Sequence, residues 1–179
     1  MESRKMFIEI NNHCKDSKSL NRILKKIKLI FGEVPPHYEL LGNISIDVLN
    51  EYLNGILKLI RHKTINPDYF GFLRLYIANK YNYTYCISFN RKLLHSRGYK
   101  SSIVNNSLTD INSFPFENKL IIMAKKTIKA VTDSMNFTET DFKTLYDAGW
   151  NDQEIFDSIE HAGNMLKNGP ILSAYLKKI

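Results

Sequence analysis

Apolar residues recur at helical spacing along most of the chain. Between Leu20 and Phe31 they follow the i, i+3, i+4, i+7 rule, which is typical of an amphipathic helix. The only strand-like run, "MFIEI", is too short to build a sheet. Further helices are predicted at 47–60, 68–80, 83–97, 118–135, 139–148 and 152–168. The pattern therefore predicts an all-α helical bundle of about six to seven helices, in a single domain over residues 1–179.

The breaks between these helices are predicted from prolines, glycines and polar runs. "EVPPHYELLGN" is predicted to be a loop, because two prolines cannot lie inside a helix. "SSIVNNSLTDINSFPFEN" is predicted to be a connecting stretch, and Gly169–Pro170 is predicted to end the last helix. The helices at 68–80 and 83–97 are expected to form a central antiparallel pair.

Composition and cysteine content indicate an ordinary globular protein. Hydrophobic residues make up 44% of the chain and aromatic residues 12%, so 179 residues can bury a core without disulfides. Cys14 and Cys86 are the two cysteines, which is too few for a disulfide framework. No apolar run approaches a membrane span, and the N-terminus lacks the apolar core of a secretory signal. The expected location is the cytoplasm.

The positive charge is concentrated in the first part of the chain. Residues 1–100 carry 17 Lys and Arg against 8 Asp and Glu, whereas residues 101–179 carry 8 against 10. A basic half invites a nucleic-acid interpretation. However, the lysines of "RILKKIKLIF" fall on the polar side of an apolar stripe, and no known nucleic-acid-binding motif is present. Nucleic-acid binding is therefore kept only as an alternative.

One segment, "NYTYCISFNRKLLHSRGY", carries candidate redox chemistry. It places Cys86 in the first turn of a predicted helix, where the helix dipole stabilises a thiolate. Tyr83 and Asn90 share the face of Cys86, whereas His95 points away. Cys14 has no positional link to this helix. Because a lone cysteine on a mostly apolar helix is usually a buried core residue, local chemistry favours a structural role.

The same segment resembles the carboxymuconolactone decarboxylase and alkylhydroperoxidase (AhpD-like) family. That family's pattern is Cys-x-x-Cys-x-x-x-His with a glycine eight residues further on, and Cys86 and Gly98 match its second cysteine and its glycine. The segment "FTETDFKTLYDAGWNDQEIFDSIEHAGNMLKN" is similar to the family's C-terminal pattern, and "FGEVPPHYELLGN" to its peroxidase-related branch. The C-terminal matches are Thr140, Leu145, Ala148, Gly149, Trp150, Asp152, Glu154, Ile155 and Asp157. The resemblance covers most of residues 30–168 and implies an AhpD-like bundle with residues 1–15 as an N-terminal extension.

Three positions depart from the family's catalytic set. Tyr83 stands at the position of the first cysteine, Asn90 at that of the histidine, and Gly71 at that of the proton-relay glutamate. A phenol with a pKa of about 10 cannot form a disulfide, and an amide cannot shuttle protons near neutral pH. The resemblance therefore implies that the fold is kept while the two-cysteine cycle is lost, with Cys86 as the remaining candidate thiol.

Three kinds of function stay open at this point. The first is binding of a ligand or a partner in the old pocket. The second is a one-cysteine peroxidase, in which Cys86 becomes a sulfenic acid that an external thiol reduces, with Tyr83 and Asn90 donating hydrogen bonds to the peroxide. The third is decarboxylase-like acid/base chemistry. Its candidate bases are His37, His62 and His161, although none lies in a motif and each is more often a surface or satisfied histidine.

Cofactors and partners follow mainly from the resemblance. No cofactor and no metal is expected, and the ligand would be a small hydrophobic molecule or a peroxide. The family's assemblies imply a homo-oligomer, either a trimer or a hexamer. The number of aromatic residues supports this expectation, since one small bundle has limited room to bury them. Those residues are Phe70, Phe72, Tyr76 and Tyr85.

Overall fold

The computed structural model describes residues 18–176, and this part of the chain is helical without a β-strand. The all-α prediction is confirmed, but these residues form nine α-helices rather than six to seven. Two short 3₁₀ turns, Ile111–Ser113 and Ser134–Asn136, flank the seventh helix. The helices are α1 (Lys18–Phe31), α2 (Pro36–Ile44), α3 (Ile46–Ile60), α4 (Pro67–Lys80), α5 (Thr84–Ser96), α6 (Ser101–Asn106), α7 (Asn118–Thr132), α8 (Glu139–Asp147) and α9 (Asp152–Tyr175).

Two segments predicted to be irregular are helical, and one helix is longer than predicted. The prolines do not prevent α2, because Pro35 precedes the helix and Pro36 is its first residue, where a missing N–H costs nothing. The six-residue α6 is too short to show a periodic pattern, and it buries only Val104. Helix α9 continues through Gly169–Pro170 to Tyr175 instead of ending there. Pro170 lies on the exposed side of the helix, which tolerates its ring.

The strand-like run "MFIEI" and Cys14 lie outside the described residues. The described residues group into two compact units, 18–61 with 174–176, and 62–173. In the first unit, α1, α2 and α3 share one apolar core. Its members are Leu20, Ile23, Ile27, Tyr38, Leu41, Leu49 and Leu53.

The second unit is organised around α4 and α5, which pack against each other. A short turn joins them, and Asn82 in this turn has a φ of +55°, a left-handed conformation that asparagine tolerates. At the other end of the pair, the Tyr99 hydroxyl donates to Asp68 Oδ2 at 3.1 Å. The start of α4 therefore lies beside the end of α5, as expected for an antiparallel pair. Helix α4 is buried almost all round, through Tyr69, Phe70, Gly71, Phe72, Leu73, Leu75, Ile77 and Ala78.

The corner between α8 and α9 is held by side chains of the second family-like segment. A capping box starts α8, and in it the Thr138 N–H donates to Asp141 Oδ2 at 2.8 Å. Gly149 ends the helix with a φ of +87°, which favours glycine. Asn151 and Glu154 then cap each other at the start of α9, with both hydrogen bonds at 3.0 Å. The predicted capping box and glycine stop are confirmed.

The aromatic residues that supported an oligomer lie in the core instead. Phe70, Phe72 and Tyr85 are buried within the chain, and Tyr76 is half-buried, so they offer little surface to a partner. The exposed aromatic side chains of the described residues belong elsewhere, and include Phe142 and Tyr146 on α8. Among residues 18–176, no helix combines the length and the apolar content needed to cross a membrane.

Candidate functional site

Cys86 is the third residue of α5 and is only 5% exposed. Two effects act on its thiol in opposite directions. Burial raises the pKa, because a thiolate loses its hydration there, while the positive charge of Arg74 lowers it. Burial is the larger effect and raises the pKa of Cys86 to about 11. The thiol is therefore protonated near neutral pH, despite its place in the first turn of a helix.

Asn90 connects Cys86 to Arg74. Its side chain is 2% exposed and lies one turn beyond Cys86 on the same face of α5. The Asn90 Nδ2 donates to the Cys86 carbonyl oxygen at 2.8 Å, and Asn90 Oδ1 accepts from Arg74 Nε at 2.8 Å. The amide thus faces two partners of opposite type, which fixes its orientation.

His161 of α9 completes this cluster from the other side of Arg74. The Arg74 Nη1 lies 3.1 Å from His161 Nε2. Because a guanidinium can only donate, Nε2 is the acceptor and the imidazole is neutral. Burial, and next the Arg74 charge, hold the pKa of His161 well below its ordinary value, against a hydrogen bond to the Phe70 carbonyl that raises it. We call Cys86, Asn90, Arg74 and His161 the Arg74 cluster.

The Arg74 cluster is poorly suited to move a proton from the thiol. Arg74 stays protonated at any physiological pH, and Asn90 has no titratable group. The lone pair of His161 Nε2 is directed at Arg74. His161 could therefore accept the proton of Cys86 only after its hydrogen bond to Arg74 breaks.

Gly71 lies on α4 one turn before Arg74, against α5. A Cβ at this position would be 3.1 Å from Leu94 Cδ2 and 3.8 Å from Arg74 Nη2. The first distance is tighter than ordinary van der Waals contact, so the site is packed around a glycine. A larger residue here would displace Leu94 and bring its side chain near the Arg74 charge.

Tyr83 immediately precedes α5, and its ring packs against α9. A Cβ at Gly169 would meet three atoms of the Tyr83 ring at 2.2 to 2.9 Å, so the ring occupies the space that any other residue at 169 would need. The ring also stacks on Tyr81, with centroids 5.9 Å apart. The pKa of Tyr83 is raised, mainly by burial and then by neighbouring Tyr81 and Cys86. Tyr83 thus contributes packing between the start of α5 and α9.

His62, in the loop before α4, belongs to a second polar group that lies against α9. The His62 Nε2 lies 3.4 Å from Asp157 Oδ2, and its Nδ1 accepts from the backbone N–H of Ile65 at 3.0 Å. Because Nδ1 accepts, the ring proton is on Nε2 and faces Asp157. The same loop is tied to α9 a second time, since the Thr64 hydroxyl donates to Glu154. His62 therefore fastens this loop and has no free nitrogen to act as a base.

A third polar group lies between α4, α7 and α9. The Ser158 Oγ lies 2.8 Å from the Tyr69 hydroxyl and 2.7 Å from Thr127 Oγ1. Burial raises the pKa of Tyr69 to about 12, although the hydrogen bonds to Ser158 and Thr127 oppose the shift. These three hydroxyls satisfy one another and present no ionised group.

The remaining histidine candidates are not part of the Arg74 cluster. His37 is buried in the first unit, with its ring 4.3 Å from that of Tyr38 and 5.5 Å from that of Tyr52. His95 is exposed on α5, and its Nδ1 lies 3.2 Å from the Tyr99 carbonyl oxygen. Within residues 18–176, no three His, Cys, Asp or Glu side chains converge to hold a metal ion.

Sequence reasoning missed Arg74, and it does not distinguish His161 from the other two candidate bases, His37 and His62. A signal for Arg74 was present, because it is the one charged residue in the apolar stretch "YFGFLRLYIAN" of α4. An arginine at a largely buried position needs partners. The identity of those partners depends on how α9 packs, which no local pattern reveals.

Two solved structures share this arrangement of helices. An uncharacterized peroxidase-related protein from Silicibacter sp. TM1040 has a TM-score of 0.84 and 14% identity, over 97% of this chain and 92% of that chain. An uncharacterized peroxidase-related protein from Ralstonia eutropha JMP134, described as an alkylhydroperoxidase AhpD core, has a TM-score of 0.82 and 11% identity, over the same shares. The chain has the AhpD-like fold. No family model matches the sequence, and no curated protein matches it.

At these identities, the similarity establishes the AhpD-like fold only. The chemistry of the site has to be argued from the residues of this chain. The helix that carries Cys86 and the helix that carries Gly71 are the α5 and α4 of the central pair. The structure therefore brings Cys86, Asn90 and Gly71 to the shared face of this pair. Tyr83 lies at the edge of the pair, and its ring packs against α9. It adds Arg74 and His161, which link the two helices to α9.

Proposed function

We propose that this AhpD-like chain acts by binding a ligand or a partner and does not run a two-cysteine peroxidase cycle. The proposal includes a degenerate redox site in which Tyr83, Asn90 and Gly71 replace the family's cysteine, histidine and glutamate. It also includes a cytoplasmic location, since two cysteines provide no disulfide framework.

One observation carries the proposal: within residues 18–176, the only thiol of the site is buried and has a pKa of about 11. Thiolates, not thiols, attack peroxides, and with this pKa only about one molecule in ten thousand is ionised at pH 7. Catalytic cysteines are instead found in surroundings that lower their pKa. The neighbours of Cys86 supply one such cation, Arg74, which burial outweighs.

The ligand proposed for this site is a small hydrophobic molecule or a peroxide. The Arg74 cluster would recognise a polar end, since a guanidinium is a charged donor that suits oxygen acceptors. The apolar residues of α4 would surround the remainder.

The test is a peroxide consumption assay with a dithiol reductant, on the wild type and on Cys86→Ser. We expect no turnover above the Cys86→Ser background, and a thiol pKa well above 8.5 by titration. Cys86 should survive mild peroxide or undergo only slow stoichiometric oxidation. Rapid turnover by the wild type that Cys86→Ser abolishes, together with a thiol pKa near 6, would overturn the proposal.

A one-cysteine peroxidase is the second candidate, and the position of Arg74 favours it. The charge of Arg74 lowers the pKa of Cys86, and a peroxide or a developing thiolate would be stabilised by the same guanidinium. Arg74→Met separates the two candidates. It removes the cation with little change in volume, so it should abolish any one-cysteine activity, while a chain without such activity shows no change in peroxide consumption.

We further propose that the chain forms a homo-oligomer, a trimer or a hexamer. The exposed aromatic rings of α8 support this proposal, since Phe142 is 37% and Tyr146 48% exposed and the two rings are stacked 6.3 Å apart. Sedimentation at micromolar concentration should show a multiple of 20.8 kDa. A single species at the mass of one chain would contradict it.

A further inference from the structure

The outer face of α8 carries a row of exposed aromatic rings. Phe142 and Tyr146 lie one turn apart on this face, 37% and 48% exposed, with their rings stacked 6.3 Å apart. The ring of Phe137 meets that of Phe142 edge-on, with the centroids 5.1 Å apart. The start of α9 continues the row, because the Tyr146 hydroxyl donates to Asp152 Oδ1 at 2.6 Å and Phe156, 59% exposed, lies one turn beyond Asp152. We call Phe137, Phe142, Tyr146 and Phe156 the α8 patch.

The α8 patch is large for a surface that faces only water. An aromatic side chain offers about 200 Å² in all, so the exposed parts of Phe142, Tyr146 and Phe156 together present roughly 300 Å². Apolar patches of this size are among the largest on typical monomers and are often functional. The patch is therefore suited to being covered by another protein surface.

A second row of exposed residues runs beside the rings on α8 and is charged. Lys143 Nζ donates to Asp147 Oδ2 at 3.0 Å, one turn along the helix. The two side chains are 72% and 64% exposed, so the ion pair leaves most of both groups in water. An exposed pair of this kind contributes little by itself, and each member can also meet an opposite charge from another molecule.

The two rows have the symmetry of a two-fold contact. When two copies of a helix pair antiparallel about a two-fold axis, each row of side chains meets the same row of the other copy, running in the opposite direction. With the axis beside Thr144, Phe142 meets the partner's Tyr146, and Lys143 meets the partner's Asp147. Each of these contacts then occurs twice. The outer face of α8 is therefore complementary to itself in both its rings and its charges.

We propose that the α8 patch is the contact between two copies of this chain across a two-fold axis. The inference rests on the homo-oligomer proposed above, and it selects between the two forms. A trimer has no two-fold axis, whereas a hexamer built of two trimers has one. The aromatic rings form the buried centre of the contact and the charged rows its rim, which is the usual order in protein interfaces.

The experiment exchanges the charges of the rim. Lys143→Glu and Asp147→Lys are purified separately, and their masses are measured by sedimentation at micromolar concentration, alone and as an equal mixture. Each variant alone brings like charges together at both contacts, two carboxylates in the first case and two ammonium groups in the second. In a mixed pair, both contacts again join opposite charges. Lys63→Glu is the matched control, because it makes the same change of charge at an exposed lysine outside α8.

We expect the wild type to contain an even number of 20.8 kDa chains, and each α8 variant alone to have half of the wild-type mass. Far-UV circular dichroism should show unchanged helical content. The mixture should regain the wild-type mass, and Lys63→Glu should keep it. Tyr146→Ala removes a ring from the centre of the contact and should also halve the mass.

The outcomes separate this inference from the proposal on which it rests. A wild-type oligomer whose mass neither the charge variants nor Tyr146→Ala changes overturns the two-fold contact and leaves the homo-oligomer standing. Charge variants that dissociate and are not rescued by mixing also overturn it, because α8 would then meet a different surface of the other copy. A wild type that sediments as one chain overturns both, and the α8 patch would then be open to a different protein.

Discussion

The two segments that resemble the AhpD-like family differ in what their residues do. From Thr138 to Asp157, the side chains start helices, end helices or connect one helix to another. For example, Trp150 Nε1 donates a hydrogen bond to the Lys119 carbonyl oxygen of α7 at 3.0 Å. From Tyr83 to Gly98, the positions that the sequence resemblance assigns to the family's reactive groups hold a packed ring and a bridging amide. The first segment resembles the family in its structural residues, and the second departs from it in its chemical ones.

This difference shows which constraints a fold imposes on a sequence. A turn such as the one after α8 needs Gly149, whose φ is +87°, whatever the protein does. A reactive thiol needs particular neighbours only if the reaction is performed. The α4–α5 pair can therefore hold Asn90 and Arg74 while the fold remains, because Arg74 donates to Asn90 and to His161 of α9.

The largest expected effect is on stability in the structural segment. Leu145→Ala empties a position on α8 that is 1% exposed, and we expect a loss of about 2–5 kcal/mol in the free energy of unfolding. Phe142→Ala on the same helix is the matched control and should cost less, because Phe142 is partly exposed. Urea denaturation measures both. Equal losses in the free energy of unfolding would mean that the exposed side chains of α8 stabilise the protein as much as the buried ones do.

The next effect concerns the pH dependence of stability at Cys86. Its pKa is raised by burial from 9.0 to about 11, so the folded state holds the thiol proton more tightly than the unfolded state. The stabilisation is complete below about pH 9 and is lost as pH rises through about 11, a change of roughly 2–3 kcal/mol. The free energy of unfolding of the wild type relative to Cys86→Ala should therefore fall across this range. Tyr69 also titrates at high pH, but it is present in both proteins and cancels. A flat difference would show that the thiol is solvated.

Most of the fold could be predicted because its signals are local. The periodic stripe of α1, the capping pair at Thr138 and the stop at Gly149 each lie within a few residues of sequence. Helix α2 departs from the predicted loop because Pro35 and Pro36 stand at the start of the helix, where prolines are tolerated. The extension of α9 through Pro170 could not be predicted, because the sequence does not show whether the proline faces solvent.

The candidate site could be predicted only along α5. The helical period places Asn90 beside Cys86, and the resemblance selects Tyr83 and Gly71. The burial that raises the pKa of Cys86 could not be read from the helix dipole, which acts in the opposite direction. Arg74 and His161 meet 87 positions apart along the chain, so their contact depends on tertiary packing.

A smaller effect tests whether Tyr83 is held by packing. Gly169→Ala should destabilise the wild type by about 1 kcal/mol, since the overpacking against the Tyr83 ring exceeds the gain of about 1 kcal/mol from replacing a helical glycine. In a Tyr83→Ala background the ring is gone, so the same change should stabilise the protein. Gly163→Ala is the matched control on α9, because nothing lies within 4 Å of its added Cβ, and it should stabilise in both backgrounds. The same sign for Gly169→Ala in both backgrounds would mean that the ring moves away at no cost.

The smallest expected effect is a gain of activity from rebuilding the site. Tyr83→Cys, Asn90→His and Gly71→Glu together place a cysteine, a histidine and a glutamate at the positions that the sequence resemblance assigns to the family's set. The new glutamate has to displace Leu94, but it lies near Arg74, which loses its Asn90 acceptor in the same variant. A carboxylate at 71 and the cation at 74 are one turn apart, so the two can pair.

We expect weak peroxide turnover that depends on a dithiol and disappears on adding Cys86→Ser. The variant with only Asn90→His and Gly71→Glu is the control, since it lacks the second thiol and should stay inactive. Turnover by this control would show that one cysteine suffices and would favour the one-cysteine candidate. A folded triple variant without turnover would mean that the thiol is kept inactive by its burial rather than by the missing groups, and Arg74 and His161 would then be the next residues to change.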